Sequence, residues 1–161
     1  MILIGVGSNL QSARFGSPLD TGRAALAELE REGVALRRTS RWFESAPVPV
    51  SDQPWFVNAV AEVETRLAPD ALLAVLHGIE ERFGRIRRER NEARILDLDL
   101  LAYNDLVAAG PPSLPHPRMH QRAFVLLPLA DIAPGWRHPA LGKSLSDLIA
   151  ALPQGQIIRP L

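Results

Sequence analysis

The chain has 161 residues, of which 47% are hydrophobic and 22% are charged, with 18 basic and 18 acidic side chains. These proportions are those of an ordinary folded domain and exclude disordered, collagen-like and disulfide-stapled proteins. No cysteine is present, which also excludes thiol nucleophiles and cysteine-bound zinc. The length predicts a single domain over residues 1–161, and we expect a monomer.

The N-terminal residues 1–7 are apolar and end in a Gly-x-Gly pattern. They are too short to span a bilayer and no basic residue precedes them, so they predict a first strand rather than a signal peptide. Because no later stretch approaches the roughly 18 apolar residues of a membrane span, we expect a cytoplasmic protein with no membrane partner. Residues 10–20 predict a long polar loop, followed by a helix capped by Asp20 or Thr21.

Strand and helix patterns alternate through the middle of the chain. Apolar and polar residues alternate over 34–43 and again over 56–67, which predicts a second and a third strand. The segment 45–54 between them contains Pro47, Pro49 and Pro54 and is predicted to be a loop. Apolar residues at helical spacing then predict a helix over residues 68–83.

The last third begins with an apolar strand predicted over residues 95–103. A proline-rich loop follows at 110–117, then a helix over 122–130 and a short capped helix over 144–152. The resulting order, β-α-β-β-α-β with a C-terminal extension, is typical of a ferredoxin-like α+β sandwich. We therefore expect an antiparallel sheet with helices packed on one face.

Two short patterns do not predict sites. Residues 142–144 (Gly-Lys-Ser) resemble the end of a phosphate-binding loop, but the first glycine of that motif is replaced by Arg137. His116 and His120 have the spacing of a helical zinc pair, yet His116 stands between two prolines and is not expected in a helix.

Two carboxylates interrupt the apolar strand at 95–103. Asp97 and Asp99 are two residues apart, so in a strand they point to one face at a spacing of about 6–7 Å, while the leucines between them fill the other face. Such a pair repels unless it is solvated or bound to cations. The pattern alone leaves two interpretations, an exposed sheet face or a metal site.

The basic side chains make the second interpretation stronger. Lys143 is the only lysine among 18 basic residues, and six arginines crowd one short stretch. Arginine forks beside carboxylates suit a Mg²⁺–polyphosphate site. Nucleic acid could use the same arginines, but base-stacking aromatic residues are not interleaved with them, so phosphoryl chemistry on a nucleotide is favoured. The six arginines in this stretch are Arg82, Arg85, Arg87, Arg88, Arg90 and Arg94.

Four segments in a fixed order resemble the 6-hydroxymethyl-7,8-dihydropterin pyrophosphokinases of folate biosynthesis. They are Gly7-Ser8-Asn9-Leu10, residues 52–59, Leu96-Asp97-Leu98-Asp99-Leu100, and residues 115–126. The resemblance covers nearly the whole chain and implies the ferredoxin-like fold. It also implies transfer of the β,γ-diphosphate of ATP to the pterin hydroxymethyl oxygen, with release of AMP.

The resemblance implies a role for individual residues. Asp97 and Asp99 match the pair that binds two Mg²⁺ ions, and Arg85 and Arg94 match arginines that stabilise the moving phosphates. Positions of the ATP site fall on Glu80, Arg87, His116 and Arg122. The aromatic pair around the pterin ring falls on Phe56 and Phe124, and Asn58 matches the residue that binds its amide edge. Backbone contacts to the pterin are implied for Ser45, Ala46, Pro47 and Val48.

The chain departs from the family pattern at one place that bears on function. Residues 91–94 read Asn-Glu-Ala-Arg, whereas many family members have Trp-Gly-Pro-Arg there. We expect residues 84–94 to form a lid that closes on ATP and Mg²⁺ without that aromatic anchor. Two alternatives stay open, an RNA-binding module and an inactive paralogue on the same fold; the resemblance favours small-molecule substrates and no nucleic acid.

Overall fold

The computed structural model describes residues 1–84 and 95–161. Within these ranges no helix is both long and apolar enough to cross a membrane. The strands are β1 (Ile2–Ser8), β2 (Ala35–Thr39), β3 (Phe43–Ser45), β4 (Phe56–Glu64), β5 (Asp97–Tyr103) and β6 (Ile158–Pro160). The helices are α1 (Pro18–Arg31), α2 (Pro69–Arg82), α3 (Ala123–Ile132) and α4 (Leu145–Ala150), with a 3₁₀ turn at Met119–Gln121.

The strands form one sheet in the order β5-β1-β4-β3-β6, and β2 pairs with β4 on the same side as β3. All of these pairings are antiparallel. With β1 and β4 at its centre, the sheet has the strand order that the β-α-β-β-α-β pattern predicts. The predicted α+β, ferredoxin-like fold is confirmed.

The single strand predicted over residues 34–43 is wrong, because the structure divides it into β2 and β3. Between them the Ser40 backbone N–H donates to the Val60 carbonyl at 2.9 Å, and the Val60 N–H donates to the Ser40 hydroxyl at 3.0 Å. The Ser40 side chain thus takes the place of a backbone acceptor, which interrupts the ladder while leaving both segments on β4.

Helices cover both faces of the sheet, which corrects the prediction of helices on one face. Ile2, Ile4 and Val6 of β1 pack with α1 and α2, whereas Leu3 packs with α3 and α4 on the opposite face. The reason lies in the β1 sequence, where a nearly continuous apolar run marks a strand that is buried on both sides.

Local sequence signals predict some of the helix ends correctly. Helix α2 lies within the predicted range 68–83, and Ser144 caps α4 by accepting from the Asp147 N–H at 3.2 Å. Helix α1 begins earlier than predicted, because Ser17 is its N-cap and accepts from the Asp20 N–H. Strand β6 was not predicted, since three residues carry too little pattern to identify a strand.

The first loop packs against the end of α2. Ser12 and Gly16 exchange backbone hydrogen bonds of 2.8 and 2.9 Å, and this closes a tight turn around Phe15. The Phe15 ring stacks on Phe83 with 4.0 Å between the ring centroids. The predicted loop therefore has a defined packing role, which anchors it beside the C-terminal end of α2.

Candidate active site

A cavity of about 760 Å³ opens beside the centre of the sheet, between β5, β4 and the N-terminal end of α3. Every predicted site residue within 1–84 and 95–161 lines it. These are Ser45, Ala46, Pro47, Val48, Phe56, Asn58, Glu80, Asp97, Asp99, His116, Arg122 and Phe124. The remaining predicted residues, Arg85, Arg87 and Arg94, and the predicted lid at 84–94 beyond Gly84 lie outside the described residues.

The floor of the cavity is made by the glycines of β1. In the sheet register Gly7 lies opposite Asp97 on one side and Asn58 on the other, and Gly5 lies opposite Asp99. Adjacent strands are about 4.8 Å apart, so the Asp97 and Asn58 backbones are about 10 Å apart across Gly7. The central strand puts no side chain between them, which leaves room for a ligand that touches both.

Asn58 is fixed in one orientation by its neighbours. It is buried, and its Oδ1 accepts from the Ser45 hydroxyl at 2.6 Å. This leaves the Nδ2 group on the Gly7 side, where a Cβ placed on Gly7 would stand only 3.0 Å from Asn58 Nδ2. The absence of a side chain at Gly7 is therefore what lets the Asn58 amide occupy this place.

Phe56 and Phe124 supply the aromatic part of the lining. Phe56 begins β4 and pairs in register with Ser45, whereas Phe124 lies in the first turn of α3. The Arg122 guanidinium carbon lies 5.3 Å from the Phe124 ring centroid, and Arg122 Nη1 is 4.0 Å from Asp99 Oδ2. Arg122 thus connects the aromatic part of the cavity to the carboxylates.

Glu80 has a structural contact in addition to its place in the lining. It is almost fully buried on α2, and its Oε2 accepts from the Leu98 backbone N–H at 2.8 Å. Leu98 separates Asp97 from Asp99, so this hydrogen bond holds the carboxylate-bearing part of β5 against α2. The ATP-binding role assigned to Glu80 by resemblance stays a prediction.

His116 is a neutral hydrogen-bond donor at neutral pH. Burial, with the nearby guanidinium groups of Arg122 and Arg118, lowers the pKa of His116 to about 4, against the opposing effect of Asp97. Its Nδ1 accepts from the Arg118 backbone N–H at 3.1 Å. A neutral ring that accepts at Nδ1 carries its proton on Nε2. The ring therefore offers a donor without adding a charge.

The two carboxylates suit a hard cation whose remaining ligands come from water and a bound substrate. Asp97 and Asp99 point to the same side of β5, as their spacing predicts. Among the described residues, no three His, Asp or Glu side chains cluster as a closed metal cage. Mg²⁺ is commonly bound by one or two carboxylates together with waters and substrate phosphates. An open carboxylate pair fits that mode of binding.

Some lining residues were missed by the sequence reasoning. Leu73 and His77 lie on the same face of α2 as Glu80, at spacings of seven and three residues. Helical periodicity counted back from Glu80 would have found both. Gln53 and Arg118 also line the cavity, but they lie in loops, where no periodic pattern could indicate them.

Ser8 and Asn9, in the first of the four segments that resemble the family, make hydrogen bonds to the walls of the site. The Ser8 hydroxyl donates to the Ile95 carbonyl, which holds the start of the β5 region. Asn9 Nδ2 donates to Gln53 Oε1 at 3.1 Å and to the Pro54 carbonyl at 3.2 Å. Both side chains are buried, so the segment connects β1 to the walls on either side of it.

Comparison with known proteins identifies the family. The model of the 7,8-dihydro-6-hydroxymethylpterin-pyrophosphokinase family matches residues 3–134. A 2-amino-4-hydroxy-6-hydroxymethyldihydropteridine pyrophosphokinase of Pseudomonas aeruginosa is 42% identical over 154 residues, which are 94% of this chain and 91% of that protein. A Synechocystis protein of the same name is 40% identical over 149 residues, 91% of this chain and 73% of that protein.

A solved structure shows the same fold. The crystal structure of wild-type Plasmodium falciparum HPPK-DHPS aligns with a TM-score of 0.73 at 16% identity, covering 92% of this chain and 42% of that one. The relatives give no support to an RNA-binding module or an inactive paralogue. Their identity and coverage, together with the family-model match over most of the chain, show that it belongs to the 7,8-dihydro-6-hydroxymethylpterin-pyrophosphokinase family.

Proposed function

We propose that this chain transfers the β,γ-diphosphate of ATP to the hydroxymethyl oxygen of 6-hydroxymethyl-7,8-dihydropterin, releasing AMP, in folate biosynthesis. One observation carries the proposal: a single cavity joins a carboxylate pair to an aromatic and amide lining through Arg122. Such a lining can bind a charged polyphosphate and a flat heterocycle side by side. Membership of the family supports the same activity.

In the proposed step the hydroxymethyl oxygen attacks the β-phosphorus of ATP. A new O–P bond forms while the bond between the β-phosphorus and the oxygen that bridges it to the α-phosphorus breaks. AMP departs with that bridging oxygen and the electron pair of the broken bond, and the hydroxyl proton is released to solvent water. Because catalysis of phosphoryl transfer consists mostly of positioning and electrostatic stabilisation, the protein has mainly to align the two substrates and neutralise the phosphates.

Asp97 and Asp99 are the residues that would hold magnesium, and we propose two Mg²⁺ ions. When bound, Mg²⁺ neutralises phosphate charge and orients the phosphate oxygens. Arg122 would donate to the phosphates from the side of Asp99, and the His116 Nε2–H would donate without adding a charge. Glu80 would serve the ATP site by keeping β5 in place.

The pterin would lie against the aromatic part of the lining. Phe56 and Phe124 present rings for stacking, and Asn58 Nδ2 can donate to the amide edge of the heterocycle because Ser45 already occupies Oδ1. The backbone of residues 45–48 borders the same space. We assign this part of the cavity to the pterin and the part beside Asp97 and Asp99 to ATP.

The remaining assignments rest on the resemblance. Arg85 and Arg94 would stabilise the moving phosphates and Arg87 would bind ATP; all three lie outside the described residues. We further propose that residues 1–161 act as one domain and as a monomer in the cytoplasm.

Product analysis tests the proposed function. The protein is incubated with ATP, Mg²⁺ and 6-hydroxymethyl-7,8-dihydropterin, and the nucleotides are separated by chromatography. We expect AMP that requires both the pterin and Mg²⁺, and its loss in Asp97→Asn but not in Asp105→Asn, an exposed acidic residue that follows β5. Release of ADP, or AMP formation independent of the pterin, would contradict the proposal.

A further inference from the structure

The C-terminal segment packs back against the N-terminal end of α3, residues 121–123, which we call the α3 entrance. The Gln156 side chain accepts from the Ala123 backbone N–H through Oε1 and donates to the Gln121 carbonyl through Nε2, both at 2.8 Å. These two hydrogen bonds enclose Arg122, the residue between their partners. Gln156 lies beyond residues 3–134, the part of the chain that the family model matches.

Helix α3 has no cap of its own at this end. Its N-cap residue is Arg122, whose side chain makes no capping hydrogen bond and extends into the cavity. The N–H groups of the first turn of a helix have no partner within the helix and usually take one from the N-cap side chain. Gln156 supplies this partner from the far end of the chain, so the Arg122 side chain is not needed as the cap and lies in the cavity lining.

The next two residues hold the opposite wall. The Ile157 carbonyl accepts from the Ala46 backbone N–H at 3.0 Å, and Ile158 pairs with Ser45 where β6 joins β3. Three consecutive residues, Gln156 to Ile158, therefore contact both the α3 entrance and the segment 45–46. This segment therefore connects two walls of the cavity, one that contains Phe124 and one that contains Ser45.

We propose that Gln156 is a positioning residue, which sets the backbone at 121–123 so that Arg122 and Phe124 face the substrates. The inference rests on the proposed function, because it assigns Phe124 to the pterin. Gln156 is not itself among the lining residues that the structure describes. Its effect on binding must therefore pass through the turn that it holds.

Two substitutions separate the polar contacts from the shape of the side chain. Gln156→Met keeps a side chain of similar length but removes both hydrogen bonds. Gln156→Glu keeps an acceptor for the Ala123 N–H but replaces the donor to the Gln121 carbonyl by a carboxylate oxygen, which repels that carbonyl. Gln154→Ala is the matched control, since Gln154 is an exposed glutamine of the same segment.

The test measures the dissociation constant of 6-hydroxymethyl-7,8-dihydropterin by calorimetry, in the presence of Mg²⁺ and α,β-methylene-ATP, which cannot release AMP. We expect Gln156→Met to weaken pterin binding about 10-fold. Gln156→Glu should weaken pterin binding as well, because its carboxylate faces the Gln121 carbonyl, and Gln154→Ala should bind as the wild type does. Thermal unfolding identifies any variant that does not fold. If Gln156→Met does not fold, pterin binding by Gln156→Glu is compared with that of the wild type instead.

A double-mutant cycle distinguishes positioning from general loosening. If Gln156 acts through the α3 entrance, Gln156→Met should have much less effect on pterin binding in a Phe124→Ala background. Unchanged pterin binding in Gln156→Met, or full additivity with Phe124→Ala, would overturn the inference. If the wild type itself neither binds the pterin nor releases AMP, the proposed function fails instead, so the two failures are distinguishable.

Discussion

Arg122 is the side chain that relates the two parts of the cavity most directly. Its guanidinium lies over the Phe124 ring on one side and 4.0 Å from Asp99 on the other. An arginine in this place can neutralise a phosphate while one face of its plane stays against an aromatic ring. Under the proposed function, this single residue would couple the binding of a charged substrate to that of a flat one.

Replacement of Asp97 tests the metal assignment. In Asp97→Ala a carboxylate that we assign to Mg²⁺ is lost, and we expect turnover to fall by at least about 10³-fold. Folding should persist, because repulsion between Asp97 and Asp99 is removed as well. Steady-state assays across a range of Mg²⁺ concentrations provide the measurement. Near-normal turnover in this variant would rule out the metal role of Asp97.

Phe124→Ala should affect the two substrates differently. The ring is assigned to the pterin, and an aromatic contact contributes about 0.5–1.5 kcal/mol beyond the burial of its area. We expect pterin binding to weaken about 10-fold or more, with ATP affinity nearly unchanged. Calorimetric titrations with each ligand measure both effects. A fall in ATP affinity without a fall in pterin affinity would show that the ring assignment is wrong.

The lowered pKa of His116 predicts a pH dependence of stability. Below pH 6.5 the unfolded chain protonates this histidine, but the folded protein does so only near its pKa of about 4. The unfolded state therefore binds more protons across this window, and the free energy of unfolding should fall as the pH drops from about 6.5 to about 4.

The comparison of wild type with His116→Gln isolates this contribution. Because the ring is partly exposed, we expect a difference of about 1–2 kcal/mol between the two pH dependences. Urea unfolding at pH 7 and at pH 5 measures it. The same slope in both proteins would show that His116 titrates normally in the folded state.

At the level of whole elements, two helical glycines should respond in opposite ways to alanine. A Cβ on Gly22 of α1 would stand 2.6 Å from the Trp42 ring, which packs against the core, whereas a Cβ on Gly78 of α2 would meet only Arg82 Nη1 at 3.9 Å. Gly22→Ala should therefore destabilise the protein by about 1–3 kcal/mol. Gly78→Ala should stabilise it by about 0.5–1 kcal/mol through helix propensity.

Chemical denaturation of both variants checks this prediction. Gly78→Ala is the internal control, since it changes helix propensity without a steric conflict. Equal stabilisation by the two substitutions would mean that α1 does not approach Trp42 as closely as the structure has it.

The elements also show what the sequence could and could not predict. Helix α2 was predictable because Leu72, Leu76 and Ile79 repeat at helical spacing, and the buried face is the one they form. The break between β2 and β3 was not predictable, because it depends on a hydrogen bond from the Val60 backbone N–H, twenty residues away, to the Ser40 hydroxyl. A side chain that replaces a backbone hydrogen-bond partner between strands does not change the alternation of polar and apolar residues, so that pattern cannot predict the break.

The same contrast holds within the site. Asp97 and Asp99 were candidates because a polar pair interrupts an apolar strand beside an arginine-rich stretch, and family resemblance supplied Phe124 and Asn58. Gln156 could not be identified from sequence, since its contacts at Gln121 and Ala123 are more than thirty residues away and follow no local pattern.

At the scale of the molecule, the apolar clusters on both faces of the sheet border the cavity. Leu98 and Leu100 belong to the cluster under α1 and α2, Val125 belongs to the cluster under α3, and all three line the cavity. Strand β1 contributes to core and site alike, with Ile4 in the core and Gly5 and Gly7 in the cavity floor. The hydrophobic core and the candidate site are therefore built on the same central strand.

The most direct test of the central claim follows the two phosphates that leave ATP. The protein is given 6-hydroxymethyl-7,8-dihydropterin, Mg²⁺ and ATP labelled with ³²P at the β- or at the γ-position, in separate reactions. Both labels should appear in the pterin product, and AMP should carry neither. Transfer of the γ-label alone, or recovery of both labels as free pyrophosphate, would contradict diphosphate transfer by this protein.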